Sequence, residues 1–151
     1  LSGAIKLLTE NPEQKQKLIE NPELMPNFLQ ECIRMVSPVI HMRRTTTCET
    51  ELGGQLMGPG EKIVMWYGAA NRDPSVFTSP DKFDIERENA DKHLAFGIGR
   101  HTCVGKPVAL MQLEESYKKI LSRFPNIHMS GNWKVAPNNF VHAIQEMPVK
   151  F

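Results

Sequence analysis

The ten residues Phe96-Gly97-Ile98-Gly99-Arg100-His101-Thr102-Cys103-Val104-Gly105 constrain this chain more than any other stretch. Three glycines allow tight turns and a close backbone approach that side chains would block. From about Lys106 the residues Leu110, Leu113, Tyr117, Ile120, Leu121 and Phe124 recur at helical spacing, with Pro107 near the start. Cys103 therefore stands just ahead of a helix N-terminus, whose positive end favours negative charge on sulfur. A thiolate held there, with amide donors to partly neutralise it, is suited to a metal. Phe96 is placed to shield the sulfur from water, Gly105 to let the chain turn beside it, and His101 to meet a carboxylate at a ligand's edge. The bland reading is a buried structural cysteine in a glycine-rich turn. A phosphate cradle would need G-x-G-x-x-G or a GK[ST] ending, and neither is present.

The rest of the chain sets bounds. Its 151 residues suffice for one core or part of a larger one, and 40% apolar with 23% charged residues is ordinary for a globular protein. A net charge of +1 gives no reason to expect nucleic acid as a partner. No apolar run approaches the roughly 20 residues of a membrane-spanning helix. Cys32, Cys48 and Cys103 are odd in number and form no CxxC pair, which favours a reducing compartment and a cytoplasmic location. Leu1, Ile5 and Leu8 already share a helical face, so the start reads as a truncation, and the missing part has room for a membrane anchor.

Periodicity divides the chain into helices and short strands. Asn11-Pro12-Glu13 and Asn21-Pro22-Glu23 each read as an N-cap, a first-turn proline and a first-turn acid. They predict helices at about 1–9, 12–20 and 23–36, the last burying Phe28, Leu29, Ile33 and Val36. Residues 39–47 and 50–57 read as strands, Gly58-Pro59-Gly60 as a turn, and 63–67 as a buried strand. Residues 68–94 are polar and irregular, a length that points to function or linkage. A terminal hairpin is expected beyond Asn126. The class is α+β, mainly helical, with small β-sheets.

The cysteine segment resembles the cytochrome P-450 haem loop, F-x-x-G-x-[HR]-x-C-x-G, at every fixed position. The resemblance covers essentially all of residues 1–151, which would be the C-terminal portion of a single P-450 domain. It implies haem b (iron protoporphyrin IX), with Cys103 as axial iron ligand and Phe96, Gly97, His101 and Gly105 around the cofactor. Glu31-Cys32-Ile33-Arg34 fits the family's E-x-x-R helix, whose Glu and Arg form a buried network with a basic residue ahead of the cysteine loop. Where many members have Pro-x-Arg-Phe, this chain has Pro80-Asp81-Lys82-Phe83. Lysine lacks arginine's planar fork, so Arg87 is a better third partner than Lys82.

Arg43 matches the strand arginine that pairs with a haem propionate, whereas Arg44 is expected to face solvent. Val39 and Ile40, in the loop after the E-x-x-R helix, would touch substrate. His41, His93, His128 and His142 form no ligand-spaced cluster and receive no metal role. The implied activity of the full-length parent is monooxygenation of a hydrophobic small molecule. Electrons would come from NAD(P)H through ferredoxin and ferredoxin reductase or a flavoprotein. The acid–alcohol pair that activates oxygen would lie upstream of Leu1, so the segment alone is expected to be inactive. His101 looks bacterial, and several segments are similar to alkane and fatty-acid terminal hydroxylases, with related sterol hydroxylases sharing part. A haem-binding or sensing protein and a non-catalytic relic are the other readings.

Overall fold

A computed structural model describes all 151 residues. Three helices come first: α1 (Ser2–Glu10), α2 (Pro12–Glu20) and α3 (Met25–Val36). The two Asn-Pro junctions work differently from the sequence expectation. Each asparagine stands at the N-cap position as expected, but neither side chain bonds to the helix that follows. Asn11 Nδ2 donates to Leu7 O at 2.8 Å, and Asn21 Nδ2 to Lys17 O at 3.1 Å, so each side chain closes the helix that precedes it. The backbone N–H of each asparagine reaches the same carbonyl. The physical reason is that a helix end leaves carbonyls orphaned, while the following proline already removes one orphan N–H. Pro22–Leu24 form a single 3-10 turn, and α3 starts at Met25 rather than at 23.

Helix α3 runs through the middle of the core. Phe28 meets Tyr117 edge-on, with ring centroids 5.3 Å apart, and Phe83 at 6.4 Å. Ile5, Leu8, Leu18, Leu29 and Leu121 belong to the same cluster. Tyr117 and Leu121 come from α5 (Lys106–Arg123), whose Leu110, Leu113 and Ile120 are partly buried against the same core. Phe124, expected on that apolar stripe, lies just past the helix end and is exposed, tilted against Phe151 at 4.7 Å.

The β-structure is four two-stranded antiparallel pairs. Strand β1 (His41–Thr45) pairs with β4 (Lys62–Trp66), setting Arg43 opposite Val64 and His41 opposite Trp66. The single strand expected at 50–57 is a hairpin, β2 (Thr50–Leu52) against β3 (Gln55–Met57). Gly53 and Gly54 carry φ of 58° and 80°, the positive pair that a two-residue type I′ turn requires. Strand β4 is not buried as predicted: Val64 and Trp66 are 43% and 56% exposed, because no layer covers that face. Tyr67 begins the short helix α4 (Tyr67–Ala70) instead of ending the strand.

The C-terminus forms two nested pairs where one hairpin was expected. These are β5 (His128–Met129) with β8 (Val149–Lys150), and β6 (Lys134–Val135) with β7 (Ile144–Glu146). The class is thus α+β, mainly helical with small sheets. No helix is long and apolar enough to cross a membrane.

Candidate haem site

The site is built on the irregular segment between α4 and α5. Helices and sheets normally pair their own backbone groups, so this stretch must find other partners. Gln14 Oε1 accepts the Ile85 N–H at 3.0 Å, and Asn27 Nδ2 donates to Ile85 O at 2.7 Å. Asn71 is fully buried. Its Oδ1 accepts the Leu94 N–H at 2.6 Å and its Nδ2 donates to Ser37 Oγ at 2.8 Å, while Ser37 is left-handed (φ 43°) at the end of α3.

The charged centre of this frame is Glu31 and Arg34, both fully buried on α3. Arg34 Nε donates to Glu31 Oε2 at 2.7 Å and Nη2 to Oε1 at 2.8 Å, a bidentate pair. Arg34 Nη1 reaches the carbonyls of Asn71 (2.7 Å) and Pro80 (2.8 Å), and the guanidinium lies over the Phe77 ring at 5.0 Å. Arg87 Nε approaches Glu31 Oε1 at 3.1 Å, and its Nη groups donate to Thr78, Ser79 and Lys82 carbonyls. Lys82 turns away, with its ammonium 3.7 Å from Asp84. The fork explains the difference: one arginine can satisfy a carboxylate and three carbonyls together, whereas a single ammonium cannot span them. No buried side-chain nitrogen or oxygen here lacks a partner.

After Ala95 the construction changes. The loop from Phe96 to Gly105 is held by local backbone bonds: Gly97 N–H donates to Leu94 O just ahead of it at 2.8 Å, and Cys103 N–H to Phe96 O within it at 2.8 Å. Gly97 and Gly99 have φ of 73° and 67°. A Cβ on Gly97 would also lie 3.1 Å from His101 O, so glycine is needed there twice over. Gly105 lies in the turn that the sequence suggested, closed by Lys106 N–H donating to Cys103 O at 3.2 Å, and with φ of −81° it needs no left-handed backbone. What glycine leaves there is space, since a Cβ would sit 3.7 Å from Cys103 Sγ. Phe96 is half-buried, packing on His93 at 5.8 Å beneath the Lys106 ammonium at 5.6 Å.

Cys103 is exposed, not the buried structural cysteine of the bland reading. Cys32 is that residue: it sits in the core, where burial and then Glu31 push its thiol well up. Arg43 and His101 are also exposed, and neither enters an ion pair. Arg44, expected to be the solvent-facing one, is half-buried and donates to Arg43 O at 2.9 Å. Val39 and Ile40 are half-buried in a junction with the C-terminal segment, Ile40 N–H donating to Phe140 O at 2.9 Å and Val39 bridging Val141. Sequence reading missed Asn71, Gln14, Asn27, Phe140 and the contacts of His93.

These residues fit a haem. A thiol at the surface lies in a stretch that carries exposed apolar side chains, Ile98 and Val104 (98% exposed) in the loop and Val108 and Met111 on the start of α5. Arg43 and His101, in no ion pair, are exposed donors that peripheral carboxylates of a haem would meet. One cysteine suits haem iron, whereas a structural zinc takes four protein ligands, and no group of three His, Cys, Asp or Glu exists to supply them.

Comparison with known proteins agrees. The sequence model described as Cytochrome P450 matches residues 6–149. Linalool 8-monooxygenase of Pseudomonas putida is 37% identical over 149 residues, covering 99% of this chain and 36% of that protein. Steroid C26-monooxygenase of Mycobacterium tuberculosis is 37% identical over 154 residues, covering 100% and 41%. The structure of cytochrome P450-153 from Novosphingobium aromaticivorans superposes with a TM-score of 0.95 at 42% identity, over 99% of this chain and 38% of that one. P450BioI, solved with an acyl carrier protein bearing hexadec-9Z-enoic acid, gives 0.96 at 37% identity, over 99% and 39%. The chain thus spans little more than a third of the proteins it matches. With its cysteine loop, its buried Glu31–Arg34 pair and this agreement along its length, the chain belongs to the cytochrome P450 family.

Proposed function

We propose that this chain is the C-terminal, haem-thiolate portion of a bacterial-type monooxygenase acting on a hydrophobic small molecule. The observation that carries the reading is the exposed Cys103 thiol in a loop closed by Phe96 O, three residues ahead of α5. Cys103 would hold the haem iron through its sulfur, Arg43 and His101 would hold the propionates, and Gly97 would keep side-chain bulk away from the ring. Glu31, Arg34 and Arg87 keep the segment before the loop in place and touch no reacting atom. When bound, haem supplies dioxygen activation, with one oxygen atom entering a substrate C–H bond and the other leaving as water.

Val39 and Ile40 offer apolar contact to substrate. The matched proteins support a hydrocarbon-like ligand, since their names speak of linalool, a steroid and a fatty acyl group. A ferredoxin with its reductase, or a flavoprotein, delivers the electrons from NAD(P)H on the cysteine side.

The test uses the full-length, haem-loaded protein with NAD(P)H, a ferredoxin and its reductase, and linear alkanes and fatty acids under labelled dioxygen. A product alcohol carrying one labelled oxygen supports the proposal. Haem bound through Cys103 with no labelled product from any of them favours a binding or sensing role instead.

A further inference from the structure

Two residues, Asn71 and His93, fix the last backbone amides before the cysteine loop. Asn71 holds Leu94. The next amide, Ala95 N–H, donates to His93 Nδ1 at 3.2 Å, while His93 Nε2 lies 3.1 Å from Gln30 Oε1 on α3. The tautomer follows from these partners. Facing an N–H, Nδ1 must present its lone pair, so the ring proton is on Nε2 and is donated to Gln30. An imidazolium would set one N–H against another at Ala95. Burial, then the Lys106 ammonium, lower the His93 pKa to about 4, so the neutral ring persists at ordinary pH.

The geometry points to His93 as a positioning residue for the haem ligand: its neutral ring ties Ala95 to Gln30, beside the Glu31–Arg34 pair, and so places Phe96, whose carbonyl closes the loop on Cys103. The inference rests on the haem-thiolate reading. Beyond Gly97 the loop has only its own hydrogen bonds and is exposed, so an error at Ala95 passes to Phe96 O and the Cys103 amide. A flat ring with an acceptor on one side and a donor on the other spans the gap rigidly, whereas a flexible amide of the same reach would not.

The experiment compares the full-length, haem-loaded protein with His93→Phe, Gln30→Leu and the double variant. Amide exchange at Ala95, Phe96 and Cys103 is measured together with the carbon monoxide spectrum of the reduced protein, which separates thiolate from neutral-thiol ligation. His93→Phe should speed exchange at Ala95 about tenfold, the worth of one hydrogen bond, and convert part of the spectrum to the neutral-thiol form. Gln30→Leu should do the same to a lesser extent, and adding it to His93→Phe should change nothing more, because both act through one ring. A merely structural histidine would lower the melting temperature and leave the thiolate fraction unchanged.

Unchanged exchange and spectrum in His93→Phe, or two substitutions that add in full, overturn the inference. If His93→Phe fails to load haem, Gln30→Leu decides alone, and wild-type behaviour in it is equally fatal. A wild-type protein with no thiolate spectrum overturns the haem-thiolate reading itself. A wild-type thiolate spectrum that His93→Phe leaves intact overturns only the role of His93.

Discussion

Two irregular stretches lie end to end in this protein and are built in opposite ways. From Asn71 to Ala95 the chain has no sheet and one 3-10 turn, yet Asn71, Phe77, Phe83, Ile85 and Ala90 are almost completely buried. Its polar backbone is held by side chains from elsewhere: Gln14, Asn27, Glu31 and Arg34. From Phe96 to Gly105 the chain is mostly exposed, and two left-handed glycines and its own amides hold it. The first stretch is a foundation anchored in the core by those buried side chains. The second is a surface left open around one sulfur. Irregular backbone can therefore be rigid where side chains meet its hydrogen bonds, and it can be accessible where local turns do so.

The comparison implies that damage to the two stretches should differ in kind as well as in size. Glu31→Ala should cost the most, about 3–5 kcal/mol, because it strands the Arg34 cation in the core. Denaturant unfolding measures this, and a loss under 1 kcal/mol would mean that the foundation does not depend on the pair. Asn71→Ala should follow at about 1–3 kcal/mol for each buried group left unpaired, the Leu94 amide first. In the open loop, Gly97→Ala should cost about 1–2 kcal/mol for its left-handed backbone, and more for the close approach to His101 O. Gly99→Ala shares the backbone penalty but meets nothing within 4 Å, so thermal melts should rank it milder.

Smallest of all, Cys103→Ser should move the stability of the haem-free protein by no more than about 0.5 kcal/mol, since its side chain is exposed. A large loss there would make the cysteine structural after all. Acid offers a finer probe of the boundary between the stretches. The His93 pKa is lowered from 6.5 to about 4, so within that window the unfolded chain binds a proton that the folded chain refuses. The contribution of His93 is therefore present above pH 6.5 and lost as the pH falls toward 4. Unfolding free energy measured at several pH values in that range should fall less steeply for His93→Phe than for wild type.

How much of this was legible in the sequence depends on how local the determining contact is. The start of α5 at Lys106 and the span of α2 follow from proline placement and a 3.6-residue period. The hairpin at Gly53-Gly54 was written in two adjacent glycines but hidden by the strand-like residues on both sides. The direction in which Asn11 and Asn21 cap was not legible, because an asparagine between two helices can serve either one, and geometry decides.

Asn71 shows the larger limit. Its surroundings read as a polar loop, yet its partners Ser37 and Leu94 lie far off along the chain, and no local pattern separates a buried asparagine from a solvated one. At the site, the glycine and cysteine spacing marked the loop. The exposure of Cys103 and Arg43, and the uncovered face of β4, emerge only once the chain is folded.

Whether Cys103 is a thiolate ligand to haem iron is read most directly from the carbon monoxide spectrum of the reduced, haem-loaded, full-length protein. Ligation through Cys103 predicts a thiolate-type band in the wild-type protein that disappears in Cys103→Ser while the protein stays folded. A Cys103→Ser variant that keeps the wild-type band would contradict it.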